Sequence, residues 1–294
     1  MTGRVLDADS GPVAIICGGG TFPFTVADAV LRQGRNVVLF AVRGWADASH
    51  VGRYPHYWSH IVQFGRFVRL ARKEGCRDVV FIGSLVRPGI RQLVSFDWTT
   101  LRVLPRVVRH FYGGDDHLLT GVARIFEDHG FRLLGAHEVA PEILVPEGSL
   151  GQFRPSEQDT TDIARGLSAL RAMGPYDIGQ AVVVAHHQVV AVEAAEGTDQ
   201  MLARVAELRR SSRLRTPIGT GVLVKAPKPG QDRRFDLPSI GPRTVEGVAE
   251  AGLAGVAVIA GGAIVAEPQI VVQKADQAKV FVAGLDGAEF GETA

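Results

Sequence analysis

The chain has 294 residues, and 32 Lys plus Arg against 31 Asp plus Glu give a formal net charge of +1. With 46% hydrophobic and 21% charged residues it has the composition of a folded globular protein, which excludes a disordered chain, and the even charge balance excludes nucleic-acid binding through a broad basic face. Two cysteines, Cys17 and Cys76, are too few for a disulfide framework or a cysteine-rich metal site.

Met1 to Ser10 contains Asp7 and Asp9 and lacks the apolar core of an export signal, so the cytoplasm is the expected compartment. Val13 to Cys17 is an apolar run that ends in Gly18-Gly19-Gly20. Phe24 to Gln33 has helical spacing, Asn36 to Val42 is a second apolar run, and Phe64 to Glu74 reads as a helix. Asp78 to Ile82 and Phe131 to Leu134 are strand-like, with helical Leu118 to His129 between them. This alternation predicts an α/β fold whose N-terminal domain, residues 1–139, is Rossmann-like, with a parallel sheet covered on both faces.

Ala140 to Glu157 breaks the pattern with three prolines and two glycines, so 140–157 is the expected linker. Beyond it, 158–294 reads as a C-terminal mixed α+β domain. Gln158 to Met173 is helical, Ala181 to Val192 forms two β runs around His186-His187, and Thr198 to Arg210 is helical. Gly221 to Lys225 is a strand and Arg243 to Ala251 a helix. The most apolar stretch, Ala251 to Ala266, is shorter than the roughly 20 residues of a membrane-spanning helix. It reads as a hairpin turning at Gly261-Gly262, an echo of the Ala181–Glu193 hairpin.

Several groups could carry chemistry. Gly18-Gly19-Gly20 lies between a strand and a helix, with Thr21 as a possible cap and Pro23 in the first turn. It is either a phosphate contact through bare N–H groups or simply a tight turn. A dinucleotide site is disfavoured, because the second strand ends in Val42-Arg43 with no acidic partner for a ribose. In Gly113-Gly114-Asp115-Asp116 the carboxylates either cap the next helix or hold Mg²⁺ through water. His137 ends a strand as a proton carrier, a ligand, or an ordinary hydrogen-bonded histidine. Glu193, Glu196 and Asp199 put three carboxylates within seven residues at a strand-to-helix junction. They suit Mg²⁺, or Glu193 pairs with a lysine. Lys225 to Gly241 is a proline-stiffened loop with Lys225, Lys228, Asp232 and Asp236, which is either a preorganised site for a diphosphate or an exposed linker. His186-His187 reads as a solvated turn and Cys17 as core.

Taken in order, Gly18-Gly19-Gly20 with Pro23, Arg87-Pro88, G-G-D-D at 113–116, G-A-H-E at 135–138, D-I-G-Q at 177–180, E-A-A-E-G-T-D at 193–199 and Lys225 to Gly241 resemble the UDP-2,3-diacylglucosamine pyrophosphatases of lipid A biosynthesis, of the LpxI type. The likeness runs from about Val13 to about Leu285. It implies Mg²⁺-dependent hydrolysis, with Mn²⁺ as the alternative metal, at the α-phosphate of UDP-2,3-diacylglucosamine, giving UMP and 2,3-diacylglucosamine 1-phosphate. It also implies a homodimer, a substrate site between two domains, and work at the cytoplasmic face of the inner membrane. The essential aspartate of the D-L-P-x-I-G motif falls on Asp236. On this reading Asp236, Lys225 and Lys228 are catalytic, and Asp236, Glu193, Glu196, Asp199 and Asp232 hold the metal. Gly18, Gly19, Gly20, Asp115, Asp116, His137, Gln180, Gly197 and Thr198 bind substrate. A Rossmann-type oxidoreductase and a non-catalytic nucleotide-lipid carrier are the alternatives.

Overall fold

The structure, a computed structural model, describes residues 11–84, 100, 115–228, 232–235 and 237–287. Asp236, Arg87, Pro88, Gly113 and Gly114 lie outside the described residues, as do the side chains of Asp115 and Asp116. Contacts divide the chain into two units. One holds residues 11–143 together with 232–235, and the other holds 144–228 and 237–287.

In the first unit, β1 (Val13–Cys17), β2 (Val37–Val42), β3 (His56–Ser59), β4 (Asp78–Ile82) and β5 (Arg132–Leu134) form an all-parallel sheet in the order β3-β2-β1-β4-β5. This is the expected Rossmann-like order, with its switch point between β1 and β4. β1 and β2 are almost entirely buried, as strands covered on both faces must be. Helix α1 (Phe22–Arg32) packs on β1 and β2. Ala14, Val38, Phe40 and Val79 meet α3 (Phe64–Lys73) and α4 (Asp115–Asp128) through Phe67, Ala71, Ala123 and Phe126. A short α2 (Ala48–Val51) is capped by Asp47, whose carboxylate accepts from the Ser49 N–H. Phe235 also joins this aromatic layer, 5.5 Å from the Phe81 ring, and so ties the 232–235 turn to the first unit.

The second unit has a six-stranded sheet ordered β6-β13-β11-β9-β7-β8. Its strands are β6 (Gly148–Leu150), β7 (Ala181–Ala185), β8 (Gln188–Val192), β9 (Val222–Lys225), β11 (Gly255–Ile259) and β13 (Phe281–Leu285). β9, β11 and β13 are parallel, whereas β6, β7 and β8 are antiparallel to their neighbours, which makes this the mixed sheet expected of the second half. Helices α7 (Gly197–Arg210), α8 (Pro242–Glu250) and α9 (Pro268–Ala278) bury Met201, Leu202, Val205, Val245, Val248 and Val271 on one face. On the other face α6 (Glu157–Met173) buries Ile163, Leu167 and Leu170. α6 starts on a reciprocal cap between Ser156 and Asp159. Among the described residues no helix is long and apolar enough to cross a membrane.

Two local expectations change. Val256–Glu267 is not a hairpin, because β11 already has β9 and β13 on its two sides and offers no edge. Ile264–Val265 (β12) instead pairs in parallel with Ser239–Ile240 (β10). The echo between the two apparent hairpins therefore fails. His186 and His187 do form the β7–β8 turn, with φ of 49° and 63°. Their N–H groups donate to the carboxylate of fully buried Asp162 on α6, at 3.0 and 2.7 Å, so the turn is anchored from beneath.

The strand starts of the first unit are held by a buried carboxylate. Asp78 begins β4, and its side chain is 1% exposed. It accepts from Arg35 at 2.5 Å and from Arg132, at the start of β5, at 2.7 and 2.9 Å. Burial alone would raise the Asp78 pKa, but these bonds outweigh it and hold the carboxyl below its ordinary range. A lowered folded pKa adds stability above the unfolded value of about 3.9, and that stability is lost as pH falls through the folded value. Asp78→Asn is expected to cost about 3 kcal/mol at neutral pH, because it leaves two arginines facing a neutral group. Urea unfolding at pH 7 and at pH 3 should show a smaller loss of stability on acidification in the variant than in the unmodified chain.

Candidate functional site

The second unit gathers four of the expected site residues at one sheet edge. Lys225 is the last residue of β9 and pairs with Ala181, the first of β7. It is 5% exposed. An ammonium that deep needs partners, and its Nζ donates to the Thr198 hydroxyl at 3.0 Å and to the Ser239 carbonyl at 2.9 Å. The Thr198 hydroxyl donates in turn to Glu193 Oε1 at 2.7 Å. Glu193, 8% exposed, follows β8, and its Oε2 accepts from the Gln180 N–H at 3.0 Å. Gly179 lets this happen. A Cβ there would sit 2.1 Å from the Glu193 carbonyl oxygen, and its φ is +43°. Lysine, threonine and glutamate thus form one buried chain of opposite charges bridged by a hydroxyl. Thr198 does not cap α7. The helix starts at Gly197, φ +78°, after Glu196.

Close by, Lys228 forms an ion pair with Asp177 of the D-I-G-Q segment. Asp177 carries no role in the sequence reading, although it stands inside a motif that reading names. The other two carboxylates of the E-A-A-E-G-T-D segment point to different partners. Glu196 accepts from Arg204 at 2.9 Å, and Asp199 pairs with Arg243 at 2.7 Å.

In the first unit, Gly18 and Gly19 leave the end of β1 and lie against the end of β4. A Cβ on Gly18 would come within 2.8 Å of Gly83 and Ser84 backbone. The Gly18 N–H donates to Ile82 and the Gly19 N–H to Ser84, both at 2.9 Å, so these two donors are committed to the protein's own backbone. Gly20 sits at φ +90° in open space ahead of α1. Thr21 takes the N-cap position without a side-chain cap bond.

His137 is in the short helix α5 (Ala136–Val139) after β5. Burial pushes its pKa below the ordinary value, which favours the neutral ring, and its enclosed Nδ1 has no hydrogen-bond partner. The 232–235 turn lies beside it. A Cβ on Gly135 would meet the His137 ring and the Arg234 Cα together. Asp232 is held by the Arg234 guanidinium through bonds of 2.7 to 3.2 Å, and Arg234 also reaches Glu127 at 3.1 Å. The Arg234 hydrogen bonds keep the Asp232 carboxyl below its usual range.

Among the described residues, the four carboxylates named for the metal each have a separate partner. Glu193 serves Gln180 and Thr198, Glu196 serves Arg204, Asp199 serves Arg243, and Asp232 serves Arg234. Among the described residues no group of three or more His, Cys, Asp or Glu side chains is placed to hold a metal.

Comparison with known proteins decides the family. Residues 12–143 match the model of the LpxI N-terminal domain, and 146–283 match that of the LpxI C-terminal domain. The chain is 42% identical over 277 residues to a Caulobacter vibrioides protein named UDP-2,3-diacylglucosamine pyrophosphatase LpxI, an overlap that covers 94% of this chain and 98% of the relative. The chain belongs to the LpxI family.

Membership in LpxI corrects the function as the sequence reading composed it. That composite had Mg²⁺-dependent attack at the α-phosphate between two domains, with a carrier or an oxidoreductase as alternatives. The LpxI assignment displaces both alternatives, and the described carboxylates supply no metal centre built on Glu193, Glu196, Asp199 and Asp232.

Two outcomes follow from this geometry. Thr198→Val removes the hydroxyl that links two buried charges and should cost about 2 kcal/mol in urea unfolding, whereas Thr198→Ser should recover most of it. Glu196→Gln and Asp199→Asn should leave the dependence of turnover on added Mg²⁺ or Mn²⁺ superimposable on that of the unmodified chain. A shifted activation curve in either variant would restore that carboxylate as a ligand.

Proposed function

We propose that the chain is a hydrolase that cleaves the pyrophosphate bond of UDP-2,3-diacylglucosamine in lipid A biosynthesis. One observation carries this: the 42% identity, over 94% of this chain, with the Caulobacter protein that bears this activity in its name. Cleaving that bond consumes one water and leaves one phosphate on uridine and one on the lipid sugar.

The second unit's chemistry supports the reading. A diphosphate is a dense anion, and its hydrolysis is helped by fixed positive charge held out of water. Lys225 is such a charge. Its buried ammonium is oriented by Thr198 and Ser239, and Glu193 balances it through the Thr198 hydroxyl. Lys228, three residues further on, adds a second cation oriented by Asp177. Lys225 and Lys228 would orient and neutralise the diphosphate, with Thr198 and Glu193 as positioning residues. A substrate with two acyl chains resides at a bilayer surface, so the same proposal makes the protein peripheral to the membrane. Homodimer assembly is carried with it on the family resemblance.

Purified full-length chain, supplied with UDP-2,3-diacylglucosamine and Mg²⁺, should release uridine monophosphate in step with loss of the lipid, measured by chromatography. Substrate that stays intact after prolonged incubation would refute the proposal. Lys228→Ala should lower kcat/KM about ten-fold with the melting temperature preserved.

A further inference from the structure

The segment from Gly174 to Gln180 is a short loop with unusual support. It begins with a 3-10 turn at Gly174–Tyr176 and passes through Asp177 in the left-handed region, φ 55°. The Asp177 carboxylate is bound by Lys228. Two residues later Gly179 is pressed against the Glu193 carbonyl, and the Gln180 N–H is bound by the Glu193 carboxylate. The loop is therefore held at Asp177 by Lys228 and at Gly179 and Gln180 by Glu193 of the buried lysine network.

This fixed loop displays two apolar side chains around Asp177, whose own side chain is 39% exposed. Tyr176 is 76% exposed and Ile178 37% exposed. Single exposed apolar residues are ordinary on a protein surface. Here two flank Asp177, the partner of Lys228, along the chain, just ahead of the edge where β7 begins and β9 ends on Lys225. Ile218, at 83%, is more exposed but belongs to the loop that enters β9 at Val222, the opposite end of that strand. The Tyr176–Ile178 pair flanks the residue that binds Lys228 and precedes the strand that pairs with Lys225.

We infer that Tyr176 and Ile178 form an acyl-chain contact, the specificity-determining lip that grips the fatty chains of a phosphorylated glycolipid whose anionic group lies toward Lys228 and Lys225. The assignment rests on the proposed function and deepens it. The ligand has two parts, an anion and a pair of hydrocarbon chains, and this edge offers two matching parts side by side. A fixed loop loses little entropy on binding, so the contact area of both side chains adds to affinity for the chain-bearing substrate.

The experiment compares full-length chain with the Tyr176→Ser/Ile178→Ser double variant on two substrates, UDP-2,3-diacylglucosamine with long acyl chains and its analogue with butanoyl chains. Circular dichroism melting establishes that the variant is folded. The ratio of kcat/KM, long-chain over butanoyl, is expected to fall at least about ten-fold in the variant. An unchanged ratio would overturn the assignment, and so would an equal loss on both substrates, which marks the loop as merely structural. Reduced co-sedimentation with phosphatidylglycerol vesicles at an unchanged ratio would point to the bilayer rather than the substrate's chains, and also overturns it. If the unmodified chain hydrolyses neither substrate, the functional reading itself fails, and the acyl-chain lip falls with it.

Discussion

A buried ammonium group shapes the second unit. Lys225 sits at the end of a central parallel strand, almost entirely out of water, where an isolated charge would cost several kcal/mol. Its placement requires that β8 end on an inward glutamate, that α7 begin with a hydroxyl two residues in, and that the chain return at Ser239 to present a carbonyl. Four separate stretches of sequence converge because one cation must be satisfied. The carboxylates that look alike in sequence then separate by role. Glu193 turns inward to complete the network, while Glu196 and Asp199 turn outward to arginines.

The same logic of donors and acceptors governs the glycine turn of the first unit. Three glycines after a strand advertise close backbone approach, and close approach is what the structure has. The neighbour is the chain's own Ile82–Ser84 stretch, whose Ile82 and Ser84 carbonyls take up the Gly18 and Gly19 N–H groups. A glycine run reports that something comes near, but not whether it is ligand or protein.

Much of the fold was legible because it rests on local rules. The buried parallel strands read as unbroken apolar runs, α6 announces its start with Ser156 and Asp159, and the helices of the first unit follow their periodicity. Reading failed where partners are distant in sequence. His56–Ser59 has polar and aromatic residues and no alternation. Pro268–Ala278 hides a helix behind Ile270-Val271-Val272, a β-like triplet. Phe281–Leu285 gains its identity as a strand from Gly255–Ile259 and Gly148–Leu150 on its two sides. Within the site, the residue types at 193, 198 and 225 were readable, yet the hydroxyl bridge was not, since nothing in spacing sets Thr198 between Glu193 and Lys225. Asp236 lies outside the described residues, so the resemblance alone speaks for it.

Phe235 carries a different lesson. It is encoded more than ninety positions after the first unit otherwise ends, yet its ring completes that unit's aromatic layer against Phe81. The two halves of this protein are therefore not separable by a single scissor cut near Ile143. An amino-terminal fragment cut there would lose one ring of its aromatic layer, the partly buried Phe235 against Phe81.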